Sequence, residues 1–385
     1  MLTRLWITLP LTLSTLLCLH PVQANQVEES RLPAAREAMP QVIERYQGIT
    51  GKLLPTLAQT NNELVLTRDV AQLGTRLWQQ AVTDVQSGNP DDRSLYWSRL
   101  QLRQTLNDAP AGIKLVDWQR KVLLNAVEKS SRGMSDIHFD DDARLRILVT
   151  GFDPFFLDRN IAQSNPSGLV ALSLDGKKFE VGGKTAQIET VMIPVRFTDF
   201  DEGLIESLLT PIYRDRQVDL VVTVSMGRDQ FDLERFVGRN RSAAAPDNRN
   251  VLTGADKAHP RPPLFQGKVL NGPEFIEFSL PAQAMTQVQG RWPVNDHHTV
   301  TTSQKGEFSP LSIGELQQAT SVEGGGGGYL SNEISYRALR LQVLMNSPIA
   351  TGHIHTPRVQ GYEPKMEQEI VEQTLQLLQA AAAAL

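Results

Sequence analysis

The sequence predicts an α/β protein with a central, largely parallel sheet, preceded by a helical region. Three observations lead there. Residues 145–152 (LRILVTGF) form a short Leu/Ile/Val run that stops at glycine and an aromatic, as a buried parallel strand does. AQIETVMIPV and VDLVVTVSMG repeat that theme, each after a stretch that can be helical, and such alternation is the signature of an α/β sheet. Before residue 139 the pattern is helical throughout, and the acidic break FDDDAR (139–144) marks the change of character.

The helical region spans 25–142. Leu66, Val70, Leu73, Leu77 and Ala81 recur at spacings of three and four and predict one apolar helix face. Leu115, Trp118, Val122 and Ala126 predict a second, and Ser94–Leu106 a third helix after the turn formers SGNPDDRS. No catalytic cluster falls in this region, so it reads as an accessory helical domain offering a surface to a protein partner. The α/β domain covers 143–385, with a helix expected at 334–346, a last strand in SPIATGHIHTP and a C-terminal amphipathic helix at 364–384. The interval from about 250 to 322 is Pro-rich and poorly periodic, and reads as a long insertion.

At the N-terminus, Arg4, an apolar stretch from Leu5 to about Leu19 and the polar end Val22-Gln23-Ala24 have the layout of a secretory signal peptide (1–24) cut after Ala24. That predicts an exported, periplasmic protein without a membrane anchor once the leader is removed. Leu17 is bulky where lipid attachment at Cys18 would want a small residue. Cys18 is the single cysteine, so the processed chain would hold no thiol, no disulfide and no cysteine nucleophile. With 41% hydrophobic and 21% charged residues and a net charge of -5, the 385-residue chain is an ordinary globular protein. It gives no reason to expect nucleic acid or an anionic membrane as partner.

Ligands of open α/β sheets bind at the carboxyl ends of strands. Four segments put unusual residues there. GFDPFF carries Phe152 and Phe155, which line an apolar pocket or belong to the core. In GRDQFDLERF, Glu234 before Arg235 is either a solvated helix pair or a catalytic carboxylate. Five glycines (324–328) run towards Ser331 ahead of a helix. Ser331 is then a helix cap or a nucleophile facing free backbone N–H groups. The glycine run reads as the mouth of a site, with its first members slack. His353 and His355 alternate on a strand; spacing supplies no third ligand, and no metal site is expected. A Glu, a Ser and a His after successive strands can assemble a base-assisted nucleophile.

In order, these segments resemble the pyroglutamyl peptidase I (pyrrolidone-carboxylate peptidase) family, across about 146–375. ILVTGFDPF with NPSG is similar to its opening strand and loop, and MIPV to its second strand end. VSMGRDQFDLERFVGRN…PDN is similar to the segment with its catalytic Glu, and GPEFIEFSLPAQAM follows in the family's order. GGGGGYLSNEISY resembles the segment with its catalytic Cys, and GHIHTP the one with its His. The resemblance implies an αβα sandwich, no cofactor or metal, and removal of N-terminal pyroglutamate from a peptide or small amide substrate. It places Glu234, Ser331 and His355 on the catalytic positions, and Phe152, Phe155, Asn165, Gly327 and Gly328 at the substrate. His353 falls where the family usually has Phe. The chain departs from the pattern in Ser331 for Cys, Phe156-Leu157 for the Gly-Gly after PF, and Ala244 for an Arg before PDN. Two readings follow: a serine variant of the peptidase, or an inactive member that binds peptide or protein.

Overall fold

The computed structural model describes residues 26–59, 62–110 and 112–385; the expected leader lies outside the described residues. The helical region consists of α1 (Leu32–Ala38), α2 (Pro40–Glu44), α3 (Gln47–Thr50), α4 (Leu53–Gln59), α5 (Glu63–Gln86), α6 (Arg93–Asn107) and α7 (Asp117–Ser130). The α/β part opens with β1 (Leu145–Phe152), α8 (Pro166–Leu174), β2 (Lys178–Val181) and β3 (Lys184–Ile193). It continues through α9 (Phe197–Asp201), α10 (Leu204–Asp215), β4 (Leu220–Met226), β5 (Phe231–Glu234) and β6 (Phe236–Gly238). The insertion holds β7 (Leu264–Phe265), β8 (Lys268–Val269), β9 (Phe275–Glu277), α11 (Ala282–Met285), β10 (Val294–His297), β11 (Val300–Thr302), β12 (Gly306–Phe308) and β13 (Ser321–Glu323). The chain closes with α12 (Leu330–Leu344), β14 (Ala350–Thr356) and α13 (Pro364–Ala383).

Seven strands form the central sheet in the order β10-β5-β14-β4-β1-β3-β2. The inner strands β14, β4, β1 and β3 are mutually parallel, β2 is antiparallel to β3, and β5 is antiparallel to β14. Side chains of a strand alternate between faces, and the two faces have separate cores. Leu145, Ile147 and Val149 of β1 join the core formed with α8, α13 and the helical region, whereas Leu148 and Phe152 join the core under α9, α10 and α12. The αβα sandwich is therefore present, with the N-terminal helices laid over one face.

Those helices do not form a separate arm. The expected face of α5, Leu66, Val70, Leu73, Leu77 and Ala81, is buried in one core with Leu169 and Leu172 of α8. The expected face of α7 is rotated. Trp118 and Val122 stand 55% and 42% exposed, and Leu123 and Val127 are buried instead. α7 packs between α5 and α6, so the contact surface of those two helices fixes its rotation, which apolar spacing alone left open by one residue.

The insertion differs most from expectation. β9 pairs with β6, β11 to β13 make a small antiparallel sheet, and β10 joins the edge of the central sheet in parallel register with β5. Among the described residues no helix is long and apolar enough to cross a membrane.

Candidate active site

Parallel β4 and β14 set the first part of the site. In their register His353 lies beside Thr223 and His355 beside Ser225. Thr351, two residues earlier on the same face, bonds Tyr213 of α10, so all three side chains point towards the α10/α12 layer. His353 is fully buried and both its ring nitrogens are taken, Nδ1 by Thr223 Oγ1 (2.7 Å) and Nε2 by Ser225 Oγ (2.8 Å). Burial and the neighbouring His355 hold it well below the ordinary histidine range, so it is a neutral core residue. Its ring meets His355 edge-on at 4.7 Å. Gly227 lets the chain turn past the same histidine: a β-carbon there would lie 2.6 Å from His355 Cβ.

Glu234 ends a strand, not a helix, and its neighbour Arg235 is turned away onto Asp296 and Glu277. The Glu234 carboxylate is 0% exposed, and Oε1 accepts from His355 Nδ1 at 2.5 Å. Burial would raise this carboxyl; the charges and hydrogen bonds of His355 and His297 overcome it and hold the group below the usual carboxylate range. The second oxygen, Oε2, accepts from His297 Nδ1 at 2.6 Å. His297 was not legible as a site residue. It stands in the aperiodic insertion, where the pair His297-His298 is the one sequence signal, and reaches Glu234 because β10 aligns the two in register.

The glycine run is structured. Gly324 and Gly327 exchange backbone hydrogen bonds (3.1 and 2.9 Å) across a tight turn, and Gly327 holds φ +83°. The first glycines, expected to be slack, are closely packed: a β-carbon on Gly324 would collide with Asn332, and one on Gly325 with Glu234 Oε2. Gly328 packs on Ser242, and its carbonyl accepts from the Ser242 and Ala243 N–H groups. Small residues are required here because backbone meets side chain directly.

The run delivers the chain to α12. Tyr329, not Ser331, occupies the N-cap, and it supplies no side-chain cap. Ser331 sits one residue inside the helix, partly buried, with its Oγ donating to the Gly326 carbonyl (3.1 Å). Among the described residues no hydrogen bond joins it to His355. The helix start is anchored by Asn332, which exchanges hydrogen bonds with Gly238, and by Glu333, which receives Arg241 and Arg337.

Family models place this architecture. One described as the PA0049 C-terminal domain matches residues 146–313 and 300–360, and one described as the PA0049 N-terminal domain matches 12–128. The chain belongs to the PA0049 family. Uncharacterized protein PA0049 of Pseudomonas aeruginosa is 28% identical over 386 residues, covering 76% of this chain and 70% of that protein. A mutant pyrrolidone carboxyl peptidase from Pyrococcus furiosus superposes with a TM-score of 0.42 at 21% identity, covering 63% of this chain and all of that one. A structure of the same enzyme, described together with its Cys-free mutant, gives 0.42 at 21% identity over 62% of this chain and 97% of that one.

In this PA0049-family chain the residues expected at a substrate have mixed surroundings. Phe152 is a core residue, 3% exposed and stacked on Phe200 at 6.4 Å. Phe155 is half-buried, and both it and Tyr329 pack on the same core as Phe152. Asn165 caps α8 through Ser167 N and fixes the strand-end loop by donating to the Asp153 carbonyl (3.0 Å). Gly327 has open space beside it. The PDN segment ties these parts together: Asn248 donates to the Pro154 carbonyl, Asp247 accepts from Phe197 N, and Tyr329 OH donates to the Pro246 carbonyl. Among the described residues no group of three or more His, Cys, Asp and Glu could hold a metal ion.

Proposed function

We propose that this chain is an exported hydrolase of the pyroglutamyl-peptidase type, with Ser331 as nucleophile, His355 as general base and Glu234 as the group that orients the imidazole. It removes N-terminal pyroglutamate, or a related acyl group, from peptides or small amides. The observation that carries this reading is the buried Glu234–His355 hydrogen bond with Gly325 seated against the same carboxylate, which brings the start of α12 to the pair.

A serine hydroxyl is a far weaker acid than a thiol, so proton removal must accompany attack. With Nδ1 bonded to Glu234, His355 has Nε2 left to accept that proton. Ser331 Oγ then turns about χ1 from the Gly326 carbonyl, attacks the substrate carbonyl, and passes its proton to His355. The leaving amine receives that proton, and water hydrolyses the acyl-enzyme by the same route. The Gly326 and Gly328 N–H groups donate to no acceptor among the described residues, and with the N-terminus of α12 they suit a developing oxyanion. Phe155 and Tyr329 supply apolar surface for a lactam ring, while Phe152 and Asn165 hold the loop behind them.

One observation favours a second reading. Ser331 is hydrogen-bonded to backbone, not to His355, as in a family member that binds peptide without cutting it. Release of a fluorophore from a pyroglutamyl amide decides between them. The hydrolase reading expects turnover that falls at least about 1000-fold in Ser331→Ala and His355→Gln. Turnover that appears only in Ser331→Cys would establish the binding role. Mass spectrometry of the processed chain checks export, with an N-terminus at Asn25 as the expected result.

A further inference from the structure

Two imidazoles hold the Glu234 carboxylate, one on each oxygen. We propose that His297 is a positioning residue of the reactive unit, fixing the plane of Glu234 towards His355 and weakening the unit when it is itself protonated. This inference rests on reading Ser331, His355 and Glu234 as that unit.

The insertion is built to present this ring. Parallel register sets His297 beside Glu234. On one side Asp296 receives Arg235 through two hydrogen bonds (2.8 and 2.5 Å), pinning β10 to the end of β5. On the other side His298 bonds the Pro310 carbonyl (2.9 Å) and meets Phe236 edge-on. Of the three consecutive polar side chains 296–298, only His297 turns to the carboxylate. Without it Oε2 would be a buried acceptor with no partner, a costly state that the group would relieve by rotating off His355.

The ring is also placed to titrate. It is about a fifth exposed, and one edge faces the exposed Arg228, whose guanidinium lies 3.3 Å from Nε2. Glu234 and Asp232 face it from β5, His355 lies across the carboxylate on β14, and Asp296 beside it is neutralised by Arg235. Burial lowers its proton affinity, but the hydrogen bond and charge of Glu234 together with the charge of Asp232 overcome it, and the net direction is upward. A protonated His297 takes up the Glu234 charge, leaving less to support an imidazolium at His355 as the nucleophile gives up its proton.

The test uses the full chain with Cys18→Ser and Ser331→Cys, so that the single thiol marks the nucleophile position and needs no substrate. Iodoacetamide alkylation is followed from pH 5 to 9, alone and with His297→Ala, His297→Gln or His355→Gln. Loss of the Glu234 partner in His297→Ala is expected to slow alkylation at pH 7 about tenfold, the lower end for outer partners of a working histidine. His297→Gln keeps a donor without a titrating proton, so it should restore most of that rate and shift the acid limb of the profile. Should the alanine protein not fold, the glutamine profile decides. Rates and profiles unchanged in both His297 variants, with His355→Gln slow, would overturn the proposal and leave the reactive unit standing. If His355→Gln is also unchanged, the unit itself is refuted and the role of His297 falls with it.

Discussion

Two buried charged clusters lie at the same end of the sheet, and they differ in their cations. Where the helical region meets the α/β part, the cations are guanidinium groups. Arg99 and Arg132 each take one oxygen of Asp153 (2.8 and 2.7 Å), and Arg196 binds Glu28 (3.2 Å) and Glu128 (2.8 Å). Arg103 binds Glu29 (2.6 Å) and also reaches Glu128. In the candidate site the hydrogen-bond partners of the buried carboxylate are imidazoles, with the exposed Arg228 standing off at 3.8 Å. Guanidinium stays charged at every working pH, so the first cluster is a fixed lock; imidazole changes charge near neutrality, so the second can respond to pH. The lock also bears on the site. Asp153 follows Phe152 at the end of β1, Arg31 holds Asp158 and the Asn248 carbonyl, and Asp92 accepts from Asn165 N. The helical region thus fastens both ends of the loop that would meet substrate.

The largest expected effect comes from breaking the lock. Asp153→Ala leaves two buried guanidinium groups without their shared carboxylate and should cost about 3–5 kcal/mol in urea unfolding. A cost below about 1 kcal/mol would mean that the two clusters do not differ in kind.

Acid should act on the lock next. Burial alone would raise the Glu28 carboxyl, but Arg196, Arg103 and Arg249 bring it to about 2. Because the folded value lies below the unfolded one, its contribution is complete above about pH 4.5 and fades as pH falls towards 2. The loss is about 3 kcal/mol for this group. The raised His297 has the opposite sign: its contribution is present below its ordinary value and is lost as pH rises through the folded one. Urea midpoints measured from pH 2 to 9 should therefore fall at the acid end in the parent, with a decline on the alkaline side that His297→Gln makes shallower.

A third, smaller effect separates burial with a cation from burial without one. Glu367 is fully buried, bonded by Ser164 and Glu363 N, and burial raises it to about 7; the nearby Asp92 is raised by burial and by the Glu367 charge. Its folded value exceeds the unfolded one, so stability falls as pH rises from about 4.5 through 7. Glu367→Gln should stabilise by about 2 kcal/mol at pH 8 and change little at pH 4. Equal effects at both pH values would contradict this. The smallest effect is expected at Trp118, which lies on the solvent face of α7, outside both clusters: Trp118→Ser should shift stability by less than about 0.5 kcal/mol.

The sequence was informative where pattern and position coincide. The continuous apolar run LRILVTGF marked β1 as a buried strand, and the 3.6-residue period marked the buried face of α5. It brought Glu234, Ser331 and His355 into view as residues at the ends of successive elements, and the structure sets Glu234 on His355. It missed β5, the strand that ends at Glu234, because four residues are too few to carry a period. It mis-set α7 by one residue, and it assigned no strand to the long insertion although β10 forms an edge of the sheet.

What the sequence by itself determined is therefore the local part: the four inner strands β1, β3, β4 and β14, the helical character of the N-terminal region, and the residue types able to do acyl-transfer chemistry. Those follow from side-chain periodicity and from chemistry carried by single residues. The tertiary structure alone decided the packing of the glycine run on Glu234, the buried arginine lock on the strand-end loop, and His297 on the second carboxylate oxygen. Each depends on contacts between segments tens to hundreds of residues apart, such as Arg31 with Asp158 or His297 with Glu234, and no local period encodes a partner at that distance.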